Sequence, residues 1–246
     1  MLIHLINLDR SSDRLAAFTA ANGHLANVRR FAAVEGREQD IHALVANKTF
    51  EPGVAESYTP GALGAALSHT ALWDLAINSG DTLTISEDDT IFHRQFAALA
   101  ARVLAQLPAD WHFVLWGWNF DSYLLFDLIP GVSPCLSCFD EEQMRANLAE
   151  FQGRSLTPQP YRLKRALGIP AYSISAKGAQ VLKSACLPLA RIKVFFPGLD
   201  RHLSNFGIDI MMNNAYPQIE AYVSFPPLVL TRNENEKSTV QLQPDP

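Results

Sequence analysis

The chain has 246 residues, of which 48% are hydrophobic and 18% charged, enough apolar material to bury a substantial core as one large domain or two small ones. A formal charge of −5 argues against an electrostatic nucleic-acid binder, because phosphate contacts need clustered Lys and Arg, although Arg29-Arg30 and Arg162-Leu163-Lys164-Arg165 stand as local anion contacts. No uninterrupted apolar run reaches the length of a membrane span, and residues 1–8 are too short and lack the basic start of a signal peptide, so a cytoplasmic location is expected, with at most peripheral contact at the inner membrane face.

Residues 2–8 form an apolar run of strand length, followed by Asp9-Arg10-Ser11-Ser12-Asp13-Arg14, whose Asp and Ser residues can cap a helix. That helix continues through Leu15 and Phe18 to a stop at Asn22-Gly23. Residues 28–34 read as a second strand ending at Glu35-Gly36-Arg37, so strand, helix and strand open a parallel α/β sheet. Residues 41–58 carry no sustained period and predict a short helix plus loop.

Pro60-Gly61 starts a helix with Leu63, Leu67, Ala71 and Leu75 as an apolar stripe and with His69 and Trp73 on another face. It stops near Asn78-Ser79-Gly80-Asp81. The next strand, Leu83-Thr84-Ile85-Ser86, runs straight into Glu87-Asp88-Asp89 before apolar Ile91-Phe92. Phe96, Leu99, Val103 and Leu107 mark an amphipathic helix stopped by Pro108, and residues 111–116 form a further strand.

From 117 to 168 the pattern dissolves into aromatic, acidic and Pro-containing segments with one short helix at 141–151, the kind of long irregular stretch expected of a lid or acceptor loop. Cys135 and Cys138 there have CxxC spacing but no second pair to complete a zinc site; with Cys186 they read as reduced thiols. Residues 169–175 predict a strand and 176–185 a helix. Pro197-Gly198-Leu199-Asp200 predicts a shorter helix through Arg201-His202-Leu203, and 219–225 a last strand before an irregular tail from Pro226-Pro227. No repeat of solenoid period is present.

Three adjacent carboxylates could form a solvated turn, but between apolar flanks they fall at a sheet edge, where α/β sheets bind ligands beyond their strand ends. Crowded there, Glu87, Asp88 and Asp89 repel one another and ask for a cation. Mg²⁺ and Mn²⁺ prefer oxygen ligands and often take only one or two carboxylates, leaving positions for substrate phosphates. That arrangement suits sugar transfer from a nucleoside diphosphate, whose departing diphosphate gains negative charge, with a separate carboxylate deprotonating the attacking hydroxyl.

Residues 6–14 (Ile-Asn-Leu-Asp-Arg-Ser-Ser-Asp-Arg) and Phe31-Ala32-Ala33-Val34-Glu35-Gly36-Arg37 resemble the opening blocks of glycosyltransferase family 25. Residues 61–69 (Gly-Ala-Leu-Gly-Ala-Ala-Leu-Ser-His) with Trp73, then Ser86-Glu87-Asp88-Asp89, resemble its central signature, and Ala171-Tyr172-Ser173-Ile174-Ser175 with Gly178-Ala179 a later block. Each block alone is weak; their order over most of residues 1–185 is specific, with weaker echoes at Leu199-Asp200 and Lys237-Ser238-Thr239.

The resemblance implies a GT-A type α/β fold with a mostly parallel central sheet flanked by helices, an inverting mechanism, a UDP-sugar donor and usually galactose transferred to lipooligosaccharide or another glycolipid saccharide. It implies Mn²⁺ or Mg²⁺ held at Asp89, helped by Asp88 and Glu87. It also makes Asn7, Asp9, Arg14, Ala33, Gly36, Ser68 and His69 candidates for the donor site. Read from sequence alone, Asn7, Asp9 and Arg14 could equally be a helix cap with an ion pair, Ser68 and His69 interior polar groups, and Gly36 a turn.

Asp200 matches the late Asp of the family and is the expected general base, with Asp121 as rival. Trp116, Trp118 and Tyr123 could make an acceptor platform, though such aromatics are more often core. Ala65, where the family commonly has Cys, is expected to pack a helix. The expected organisation is one catalytic domain over 1–240, with 1–116 serving nucleotide sugar and metal, 117–240 serving the acceptor, and a tail at 241–246. Competing classes are a non-catalytic nucleotide-sugar-binding protein and a metal-dependent phosphohydrolase.

Overall fold

A computed structural model describes residues 1–54, 57–120 and 123–232 of the chain. The elements run β1 (Ile3–Asn7), α1 (Ser12–Ala21), β2 (Val28–Ala32), α2 (Ile41–Ala46), α3 (Pro60–Ser79), β3 (Leu83–Glu87), β4 (Thr90–Phe92), α4 (Phe96–Leu104) and β5 (Phe113–Gly117). They continue with β6 (Leu124–Ile129), β7 (Ser133–Ser137), α5 (Glu141–Ala146), α6 (Leu148–Phe151), β8 (Gln159–Ala166), β9 (Ala171–Ile174) and α7 (Ala176–Cys186). The last are β10 (Lys193–Phe196), β11 (Arg201–Ser204), α8 (Ile208–Ala215), β12 (Ala221–Phe225) and β13 (Val229–Thr231).

Nine strands form one sheet in the order β2-β1-β3-β9-β5-β12-β8-β6-β7. The expected parallel pairing holds at β2-β1-β3 and again at β5-β12. The remaining seams are antiparallel, so the sheet is mixed. Its central strands are apolar on both faces, as helix-covered strands must be. Ile6, Ile85, Leu115 and Tyr172 face one core with α3 and α7; Ile3, Leu5, Val114 and Trp116 face the other with α1 and α4.

Three expectations are corrected. Residues 117–168 are not an irregular loop region: they supply β6, β7 and β8 of the main sheet. Charged Arg162 and Lys164 hide the strand pattern of β8, yet both stay in the sheet because Arg162 pairs with Glu220 and Lys164 with Asp127 at 2.9 Å. The segment after Pro197 is not a helix but the turn of the β10–β11 hairpin, closed by Gly198 and Asp200 with φ of 84° and 49°. Left-handed residues cannot continue an α-helix.

The third concerns α3, whose leucine stripe is buried only in part, at Leu63 and, half-buried against the core, at Leu67. Leu75 is exposed, whereas Ala62, Ala66, His69, Trp73 and Ala76 are buried. The ring polar groups of His69 and Trp73 find a partner inside, the Tyr172 hydroxyl, at 2.9 Å each. A satisfied polar group loses little on burial, and the alanines between let neighbouring elements approach. Ser11 holds the N-cap position of α1 without a side-chain cap bond. Trp116, Trp118 and Tyr123 are core side chains and offer no platform.

Gly36 and Gly64 bring the N-terminal half of α3 against the end of β2. A Cβ on Gly36 would lie 1.8 Å from the Pro60 carbonyl oxygen, and one on Gly64 2.4 Å from that of Val34. Backbone cannot yield as a flexible side chain can, so Gly36 serves close approach and not a turn conformation. Gly64→Ala is therefore expected to destabilise the protein by about 1–3 kcal/mol, read as a lower urea midpoint with an unchanged m-value; an unchanged midpoint would contradict this packing.

Candidate active site

The parallel pairing of β1 with β3 places Ile6 opposite Glu87, so Asn7 and Asp88 leave the same edge of the sheet side by side. Asn7 donates through Nδ2 to Asp88 Oδ2 at 2.7 Å and to the Ser11 carbonyl at 3.0 Å. Its Oδ1 accepts from Arg30 Nε at 2.9 Å. Arg14, one turn into α1, donates through Nε to Asp88 Oδ1 at 2.7 Å and forms a second, shorter bond to the same oxygen. Both oxygens of the buried Asp88 are thus taken by protein donors.

Asp89 is in a different position. Arg14 reaches its Oδ2 only at 3.5 Å, and its Oδ1 is buried with no hydrogen-bond partner. Burial and then the neighbouring Glu87 push its carboxyl up to about 7, against the pull of Arg14. Arg14 is the cation in contact with these acids; among the described residues no other Lys or Arg pairs with Glu87, Asp88 or Asp89. Three carboxylates against one guanidinium leave an excess of negative charge that suits a divalent cation.

Glu87 faces α3. Its Oε1 lies 3.4 Å from His69 Nε2, while His69 Nδ1 lies 2.9 Å from the Tyr172 hydroxyl. Trp73 Nε1, which can only donate, also meets that hydroxyl. The Tyr172 proton is then free to point at His69 Nδ1, which assigns the other ring proton to Nε2, facing Glu87.

A cleft opens beside this edge. It gathers Asn7, Arg14, Ala33, Gly36, Ser68, His69, Glu87 and Asp88, eight of the residues expected at the donor or metal site. Ser68 lines it while tying α3 to β2, accepting from Val34 N at 2.9 Å and donating to the Gly64 carbonyl at 2.7 Å. Ala65 also lines the cleft, so that position faces ligand space and not a helix contact.

Asp9 lies outside the cleft lining, exposed and paired with Arg30. Asp200 sits exposed in the hairpin turn. Asp121, the Lys237-Ser238-Thr239 echo and the tail at 241–246 lie outside the described residues. Asp209 carries no signal in the sequence, whereas Arg30 stands in the basic pair Arg29-Arg30 expected as an anion contact and Tyr172 in its family-like block. Cys135 and Cys138 are free thiols, the first half-buried and the second exposed.

The donor set fits a hard cation: an unpartnered carboxylate oxygen beside further carboxylates. Among the described residues no three His, Cys, Asp or Glu are grouped to hold a metal by protein ligands alone. Substrate oxygens and water would complete the coordination.

The family model of glycosyltransferase family 25, described as an LPS biosynthesis protein, matches residues 1–192. The chain belongs to glycosyltransferase family 25. Membership implies sugar transfer in lipopolysaccharide biosynthesis, with a sugar donor and a saccharide acceptor. No curated protein matches the sequence significantly. Among solved structures, the crystal structure of A197 from STIV is similar over 93% of this family 25 chain and 82% of its own, at 9% identity and a TM-score of 0.41. No helix among the described residues is long and apolar enough to cross a membrane.

The raised Asp89 carboxyl has a defined pH signature. In protein stripped of divalent cations, its contribution to stability is complete below the ordinary carboxylate range and is lost as pH rises through about 7. Asp89→Asn keeps a neutral side chain throughout, so its Tm should exceed that of the wild type at about pH 8 and match it at about pH 4. A Tm difference independent of pH would contradict the assignment.

Proposed function

We propose that this family 25 chain is an inverting, metal-dependent hexosyltransferase of GT-A type. It moves galactose from UDP-galactose to a saccharide acceptor of lipooligosaccharide or lipopolysaccharide. The observation that carries the reading is the unpartnered Oδ1 of Asp89, next in sequence to the cleft-lining Asp88 that Arg14 and Asn7 already neutralise; Asp89 itself is not among the residues that line the cleft. Asp89 is the carboxylate left open for Mn²⁺ or Mg²⁺, while Asp88 organises Arg14 and Asn7 as cleft walls. When bound, the cation supplies electrostatic stabilisation of the departing diphosphate.

The nucleoside end of the donor lies along Ala33, Gly36 and Ser68, where small side chains leave room beside the β2 edge. His69 holds Glu87 in place through its Nε2 proton. In the transfer, an acceptor hydroxyl oxygen bonds to the anomeric carbon as the bond from that carbon to the diphosphate breaks; the electron pair leaves with the diphosphate. The hydroxyl proton passes to a protein carboxylate. In this reading residues 117–240 serve the acceptor, and the enzyme meets a glycolipid acceptor from the cytoplasmic face of the membrane.

The test is a nucleotide-release screen over UDP- and other nucleotide sugars, with and without Mn²⁺ and with saccharide acceptors. UDP release from UDP-galactose that depends on Mn²⁺ is expected, falling to background in Asp89→Ala. Near-normal turnover by Asp89→Ala would overturn the metal assignment. UDP-sugar binding without release would favour a non-catalytic binder, and phosphate release from phosphoesters a phosphohydrolase.

A further inference from the structure

Asp209 stands in the first turn of α8, half-buried, with no cationic partner among the described residues. Its Oδ2 accepts from Gly168 N at 3.1 Å, and the Ile210 amide also donates to the carboxylate. Gly168 belongs to the short link into β9, and two residues on, the Pro170 carbonyl accepts from Glu87 N at 2.8 Å. The same link therefore holds Asp209 at one end and the acidic strand edge at the other.

Gly168 is also the residue that could not be replaced: its φ is 82°, and a Cβ would lie 2.3 Å from Asn119 Oδ1. Asn119, just past β5, is thereby pressed against the amide that fixes Asp209. Through this link Asp209 on α8 is tied to the end of β3 that carries the acids.

We propose that Asp209 is the carboxylate that accepts the proton of the attacking acceptor hydroxyl, in place of the sequence candidates Asp200 and Asp121. This role rests on the glycosyl-transfer reading above. Other half-buried acids of the sheet, such as Asp127 and Glu220, are neutralised by Lys164 and Arg162. Asp209 is held only by backbone amides, which orient its oxygens and leave its charge unspent. Burial raises its carboxyl above the ordinary range, with a further push from Glu87, and makes it a stronger base than a solvated acid. Tyr58 and Tyr216 also face it, and both hydroxyls are raised in part by its charge. Asp200 has neither this enclosure nor this orientation.

The experiment compares wild type, Asp209→Asn and Asp209→Glu in the nucleotide-release assay with acceptor, alongside calorimetric UDP binding in Mn²⁺. Asp209→Asn keeps an oxygen that can accept from Gly168, so its expected signature is a kcat lowered by about a hundredfold or more with UDP affinity within about threefold of wild type. In Asp209→Glu the acid limb of the kcat–pH profile should move, which loss of a structural anchor would not produce. Wild-type-like kcat in Asp209→Asn, or an unmoved acid limb in Asp209→Glu, overturns the role. If Asp209→Asn does not fold, the Asp209→Glu profile decides. Wild-type protein that releases no nucleotide from any donor overturns glycosyl transfer itself, and the role with it.

Discussion

A buried carboxylate must be paired, and the pairing of Asp88 sets the order of this acidic edge. Taking a charged group out of water is costly unless donors replace the lost hydration. Asn7 from β1 and Arg14 from α1 both converge on Asp88 at the end of β3, so one residue ties together the first strand, the first helix and the third strand. Arg14 is spent on that contact. What reaches Asp89 is a longer interaction at 3.5 Å, too weak to offset its burial beside Glu87. Local charge imbalance at Asp89 is therefore a by-product of satisfying Asp88.

The opposite wall is built from hydrogen bonds that run from the core outward. Trp73 and Tyr172 are fully buried, His69 nearly so, and only Glu87 meets solvent. A chain of donors anchored on an indole N–H fixes each proton in turn, so the last link presents a defined donor to Glu87. The small residues of α3 make this feasible, because Ala62, Ala66 and Gly64 let the helix sit close enough for its polar groups to reach β9 and β2. Helix packing and site geometry are one constraint here.

Much of this was legible in the sequence. The opening strand-helix-strand, the long helix from Pro60 and the acidic strand end all stand where their patterns put them, because their local apolar patterns are bounded by Gly, Pro or Asn stops. The β6–β8 strands were not legible: their charged residues are neutralised by partners far along the chain, Arg162 by Glu220 and Lys164 by Asp127. Periodicity cannot see a distant partner. The buried face of α3 is only partly legible for the same reason, since burying His69 and Trp73 depends on Tyr172 a hundred or so residues later in the chain. Asp200 was favoured by a Pro-Gly lead-in that reads as a helix start, whereas two left-handed residues make it a hairpin turn.

Within the site, sequence could name three acids but not sort them. Environment does the sorting: Asp88 has both oxygens occupied, Glu87 has a histidine, and Asp89 has a bare oxygen. Identical chemistry at adjacent positions thus acquires separate tasks through the direction in which each side chain leaves the strand end. Glu87, the last ladder residue of β3, turns toward α3, while Asp88, the first residue past the strand, is drawn toward β1 and α1 by Asn7 and Arg14. Asp88 and Asp89 both lie past the end of β3 in the turn before β4, but Asn7 and Arg14 draw in Asp88 and leave Oδ1 of Asp89 unpartnered. A run of acids at a strand end is in this sense a branching point, where one acid stabilises the fold and the next keeps a carboxylate oxygen without a protein partner.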